Sequence, residues 1–180
     1  MIYHYTPISG VYLIEPERQE DARGWFARSF CAREFGEMGM ATAFAQCSAS
    51  CNARRGTVRG LHYQAEPAAE AKLVRCVRGT MFDVAVDVRP DSPTFGQWTS
   101  AELSALNGKM LYIPEGCAHG YQTLSDDTEV FYQITAEYQP ALARGIRWDD
   151  PDVGIRWPLA RAILSDRDRA LPTLNALAAA

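Results

Sequence analysis

The run Thr80-Met81-Phe82-Asp83-Val84-Ala85-Val86-Asp87-Val88 constrains the fold more than any other part of the chain. Successive side chains of an extended strand point to opposite faces. Phe82, Val84, Val86 and Val88 therefore share one face, and Met81, Asp83, Ala85 and Asp87 the other. Shorter runs of the same kind predict strands near 10–15, 25–30, 42–48, 56–64, 71–78, 96–103, 109–113, 119–124 and 128–135. Gly, Pro, Asp and Ser clusters separate them, most clearly Arg89-Pro90-Asp91-Ser92-Pro93 and Pro114-Glu115-Gly116. Ala32 to Met38 is the best helix candidate. Past Pro140 the pattern turns irregular, and short helices packed on the outside are expected. Ala178-Ala179-Ala180 reads as a frayed end. Many short, evenly spaced strands predict an all-β closed barrel or jelly roll.

A chain of 180 residues is about one domain, 1–180, and neither an internal repeat nor a low-complexity linker divides it. Its 47% hydrophobic and 11% aromatic residues suffice for a core and exclude disorder. The net charge of −4 argues against a nucleic-acid binder, which needs a basic face to meet phosphates. A few local arginines can still hold a small anion. Nothing approaches the roughly 18 apolar residues of a membrane span. The start, Met1-Ile2-Tyr3-His4-Tyr5-Thr6-Pro7, lacks the basic-then-apolar pattern of a secretory signal. The five cysteines, an odd number, are expected as reduced thiols in the cytoplasm.

Chemistry centres on Arg59-Gly60-Leu61-His62-Tyr63-Gln64. Histidine titrates nearest neutrality and is the natural base for drawing a proton from carbon, and there are only three: His4, His62 and His119. Cations nearby lower an imidazole's basicity, and a carboxylate partner raises it. Arg59 and Lys72 lie close in sequence. A strict two-residue period sets Arg59 and His62 on opposite faces, so both reach one pocket only if a bulge or strand end intervenes. Pro114-Glu115-Gly116-Cys117-Ala118-His119 fits a metal site or a hairpin with a satisfied histidine. The His-x-His pair of metal-binding cupins is absent, and Cys47-x3-Cys51 has no second pair, so no metal is expected. Taken alone, Tyr132 reads as a packed strand tyrosine and Leu164-Ser165-Asp166-Arg167-Asp168 as a solvated turn.

Several segments together resemble the dTDP-4-dehydrorhamnose 3,5-epimerase family. They are Asp21-Ala22-Arg23-Gly24-Trp25-Phe26, Gly56 to Gln64, Lys72 to Cys76, Phe82 to Arg89, Ser92 to Gly96, Pro114 to Gly120 and Ile155-Arg156-Trp157-Pro158. They run in family order along nearly the whole chain. The resemblance implies a cupin jelly roll, a homodimer, no metal or organic cofactor, and a nucleotide-diphosphate 4-keto-6-deoxyhexose as substrate. It implies His62 as general base, Asp168 as the carboxylate that orients it, Lys72 beside the enolate oxygen and Tyr132 as the acid on the opposite face. Arg59 matches a pyrophosphate-binding arginine and Arg23 one that reaches in from the partner subunit. Phe26, Gln46, Asp83, His119 and Arg167 match further substrate-binding positions. Arg28 stands where members acting on dTDP substrates often carry a glutamate, which bears on the preferred base. Cys117 and Arg167 replace a usual phenylalanine and lysine, and Gln46–Asn52 is one residue longer.

Three functions fit these residues. The first is epimerisation at C3 and C5, with a C3-only variant on a differently based nucleotide sugar. A non-catalytic sugar-nucleotide binder is the second, disfavoured because binding needs no acid and base on opposite faces. The third, a metal-dependent oxygenase, lacks its histidine pair.

Overall fold

The structure, a computed structural model, describes residues 1–178. In chain order the strands begin with β1 (Ile2–Tyr5), β2 (Tyr12–Glu15), β3 (Gln19–Asp21) and β4 (Gly24–Phe26), followed by helix α1 (Ala32–Glu37). Then come β5 (Gln46–Asn52), β6 (Val58–Gln64), β7 (Lys72–Arg78), β8 (Thr80–Asp87) and β9 (Trp98–Ser104). The set ends with β10 (Met110–Ile113), β11 (Cys117–Thr123), β12 (Thr128–Ile134), β13 (Ala143–Gly145), α2 (Asp166–Arg169) and α3 (Leu174–Ala178). A six-stranded sheet has the order β1-β2-β10-β7-β12-β5 and a five-stranded sheet the order β13-β6-β11-β8-β9, while β3 and β4 form a separate hairpin. The two large sheets pack face to face as a jelly roll. No described helix is long and apolar enough to cross a membrane.

Three apolar clusters explain the layering. The inner one joins Val74, Cys76, Leu111, Ile113 and Val130 of the six-stranded sheet to Met81, Ala85, Leu103 and Tyr121 of the other. The second lies on the outer face of the five-stranded sheet, where Val84, Val86 and Val88 meet Ile146, Val153 and Leu174 of the C-terminal segment. The third packs Phe35 of α1 and Met40 against Leu73, Met110 and Tyr112. Both faces of β8 are thus buried. Its all-apolar face is covered by the irregular segment after Pro140, and the face bearing Asp83 looks into the roll.

Most expected strands are present within a few residues. The strand expected over 25–30 stops at Phe26, and that expected over 42–48 runs over Gln46–Asn52 instead. Phe44, read as strand, packs beside α1 in the third cluster. Strands β1, β3 and β13, only three or four residues each, carry too little pattern to read. The end expected to fray lies, from residue 179, outside the described residues.

Candidate active site

The inner faces diverge into a cavity of about 460 Å³, lined from both sheets and by the α2 segment. His62 comes from β6. It faces His119 across the β6–β11 pair, yet two residues further along β11 Tyr121 pairs with Arg59, three residues back along β6. One extra residue on β6 is a bulge. It undoes the parity that would set Arg59 and His62 on opposite faces, and both line the cavity. Gly60 sits inside this bulge at φ +124°, and a Cβ there would lie 2.6 Å from the Gly120 Cα. No other residue fits so close an approach.

His62 Nε2 lies 2.7 Å from Asp168 Oδ1. Asp168 rides on α2, where the Ser165 side chain accepts a hydrogen bond from the Asp168 backbone N–H. Burial tends to raise its carboxyl pKa, but the bonds from His62, Gly60 N–H and Ser165 outweigh burial and leave it below the ordinary range. An ionised carboxylate only accepts, so Nε2 carries the proton and Nδ1 keeps its lone pair as the basic nitrogen. The ring is 37% exposed, open to the cavity, while Asp168 is 7% exposed.

The opposite wall comes from the six-stranded sheet. Tyr132 of β12 and Lys72 of β7 both line the cavity. Lys72 Nζ donates to the His62 carbonyl at 3.2 Å and pairs with Glu70 at 2.9 Å. Burial pushes the Tyr132 hydroxyl well above the usual phenol range, so it stays protonated at neutral pH. Across the β6–β11 pair from His62 lies a second, buried pair, His119 Nε2 to Asp83 Oδ1 at 2.7 Å. Burial raises the Asp83 carboxyl pKa against the pull of His119 and Lys72. Asp83 sits beneath the lining rather than in it.

Gln46, Arg59, His119 and Arg167 also line the cavity. Arg59 Nε donates to Asn52 Oδ1 at 2.8 Å, its one side-chain hydrogen bond among the described residues. Its terminal nitrogens remain for a ligand. Arg23, Phe26 and Arg28 are elsewhere. Arg23 is exposed at the β3–β4 turn and pairs with Asp21 at 2.6 Å. Phe26 is 75% exposed, and Arg28 pairs with Glu34 at 2.5 Å beside a separate, smaller cavity. Among the described residues no group of three or more His, Cys, Asp or Glu side chains could hold a metal ion.

Sequence reasoning missed Ser50, Tyr121 and Glu70, all in the lining. Two had a signal: Tyr121 follows His119 by two residues and Glu70 precedes Lys72 by two, which in an extended chain means a shared face. Tyr138, at the rim, had none.

The model of the dTDP-4-dehydrorhamnose 3,5-epimerase family matches residues 5–176. A dTDP-4-dehydrorhamnose 3,5-epimerase of Sinorhizobium fredii is 47% identical over 175 residues, covering 97% of this chain and 90% of that one. A dTDP-4-dehydrorhamnose 3-epimerase of Streptomyces niveus is 39% identical over 163 residues, covering 90% and 78%. The crystal structure of dTDP-6-deoxy-D-glucose-3,5-epimerase from Legionella pneumophila, in complex with dTDP-4-keto-L-rhamnose, superposes with a TM-score of 0.91. It is 40% identical and covers 97% of this chain and 93% of its own. With matches of this extent on such a site, the chain belongs to the dTDP-4-dehydrorhamnose 3,5-epimerase family and is an isomerase built on a cupin jelly roll.

Proposed function

We propose that this chain epimerises C3 and C5 of a nucleotide-diphosphate 4-keto-6-deoxyhexose, of the dTDP-4-dehydro-6-deoxyglucose type. The observation that carries the reading is that His62 of one sheet and Tyr132 and Lys72 of the other line one cavity. The C4 ketone acidifies the hydrogens on C3 and C5. His62 Nδ1 removes one, and Asp168 stabilises the imidazolium that forms. The electrons move onto the C4 oxygen, where the Lys72 ammonium meets the enolate charge. A missing oxyanion donor typically costs about 3–4 kcal/mol, so Lys72 is as necessary as the base. Tyr132 returns a proton from the opposite face and the stereocentre inverts. Nothing is oxidised or reduced, and no metal or organic cofactor is required.

Arg59 and Arg167 hold the pyrophosphate by charge-assisted hydrogen bonds, with Gln46 and His119 ordering the sugar. Arg23 and Phe26 on the exposed β3–β4 hairpin, with Arg28 just beyond it, act on a second copy's cavity, so the working unit is a homodimer. Its five free cysteines fit a reducing cytoplasm, and residues 1–180 are read as one domain.

The test is proton NMR of dTDP-4-keto-6-deoxyglucose with the protein in heavy water. Deuterium should enter at both C3 and C5, and His62→Ala should abolish both while nucleotide binding persists. Exchange at C3 alone would establish the activity by which the Streptomyces niveus relative is named. No exchange, or undiminished exchange in His62→Ala, would overturn the reading.

A further inference from the structure

Behind Tyr132 runs a line of polar side chains that the reaction above does not use. The Tyr132 hydroxyl lies 3.3 Å from Ser50 Oγ, and Ser50 Oγ lies 2.9 Å from the Tyr121 hydroxyl. Tyr121 donates to Asn52 Oδ1 at 3.2 Å, and that oxygen also accepts from Arg59 Nε at 2.8 Å. Asn52 Nδ2 donates to the Thr128 carbonyl at 3.0 Å. Tyr121 is 1% and Asn52 2% exposed, so these two depend on their protein partners, while Ser50 is half-buried at the cavity wall.

The chain runs in one direction. Arg59 Nε only donates and the Thr128 carbonyl only accepts, which leaves the Asn52 amide a single orientation, oxygen toward Arg59. Tyr121 must then give its proton to Asn52 and receive from Ser50. Ser50, its own proton committed, receives from Tyr132. The resting Tyr132 hydroxyl is therefore held toward Ser50 by a sequence of bonds that begins at Arg59.

We infer that Ser50, Tyr121 and Asn52 are positioning residues for Tyr132, a one-way hydrogen-bond chain anchored on Arg59 that fixes the hydroxyl and stabilises the anion it becomes. The inference rests on the reading of Tyr132 as the acid. When the O–H bond of Tyr132 breaks and its proton forms the new bond to C5, the phenolate keeps the electron pair. Ser50 then turns its hydroxyl from Tyr121 to the phenolate oxygen, and Tyr121 turns its own from Asn52 to Ser50, so that both support the anion. Water restores the proton to Tyr132 and removes the one held by His62 after product leaves, so the cycle closes without net change. No proton passes along the chain itself, because neither Asn52 nor Arg59 releases one.

The test follows C3 deuterium exchange and C5 inversion separately in Tyr121→Phe, with dTDP-4-keto-6-deoxyglucose in heavy water. This substitution keeps the ring in the core and removes one hydroxyl. C5 inversion should slow about tenfold, the scale of one hydrogen bond to a developing charge, with C3 exchange within about twofold and KM unchanged. Ser50→Ala should give the same split, and this second variant decides the matter if the first does not fold. In Asn52→Ala a rise in KM should accompany the C5 loss, since Arg59 also loses its partner. Equal losses at C3 and C5, or no loss, would overturn the proposal. Tyr132→Phe in the same assay separates the two readings. If it leaves C5 inversion intact, the acid assignment fails; if it blocks inversion while Tyr121→Phe does not, only the positioning chain fails.

Discussion

At the scale of single residues, the environment of Asp168 determines what His62 can do. The carboxyl pKa is below the ordinary range in the folded chain, so its contribution to stability is present above the unfolded value and disappears as pH falls through the folded one. Around neutrality it remains an anion, the charge that the proposed imidazolium of His62 requires. Asp168→Asn keeps the shape and removes the charge. It should lower kcat by about 10⁴-fold with little change in KM, as when an orienting carboxylate is lost from a histidine base. Steady-state kinetics checks this; an unchanged kcat would remove Asp168 from the mechanism. His62 was legible because few histidines compete with it and because it lies in a strand-like run. Asp168 was not legible from its own surroundings. Its bond to His62 spans 106 positions of the chain, and only the resemblance linked the two.

At the scale of elements, the bulge in β6 does what no single residue could. It brings Arg59 and His62 to one face, and it needs close approach of two glycines, Gly60 and Gly120. Gly60→Ala would set a Cβ 2.8 Å from the His119 carbonyl oxygen, in a conformation that side chains rarely adopt. It should destabilise the fold by about 2 kcal/mol or more and cut activity more deeply than stability, since His62 and His119 both shift. Thermal melts beside kcat measure the two effects. The need for a bulge follows from counting residues between Arg59 and His62; which strand pairs with β6 does not. Strand β8 was read correctly down to its two faces, because alternation of apolar and acidic residues is a strong signal. Strand β5 was misplaced because its alternation is inverted: the polar Gln46, Ser48 and Ser50 face the cavity, and Cys47, Ala49 and Cys51 are exposed on this edge strand.

At the scale of the whole molecule, the hairpin bearing Arg23 and Phe26 is the part that one copy leaves unexplained. If it serves a second copy, each inactive variant should repair the other. Arg23→Ala and His62→Ala, dissociated and reassociated together, form mixed dimers in which one site has its own His62 and its partner's intact Arg23. Activity should return to about a quarter of the wild-type value for random pairing. No recovery would mean that Arg23 acts, if at all, within its own chain. A last consequence comes from the covering of β8. Translation delivers β1 to β12 before the segment after Pro140 that caps Val84 and Val86, and that segment also carries Asp168. A ribosome-bound chain that has just formed those strands therefore still exposes an apolar flank, and its His62 lacks the Asp168 partner. Docking of this segment covers the flank and brings Asp168 to His62 together, so on the proposed role of His62 turnover depends on the same packing that seals the outer face.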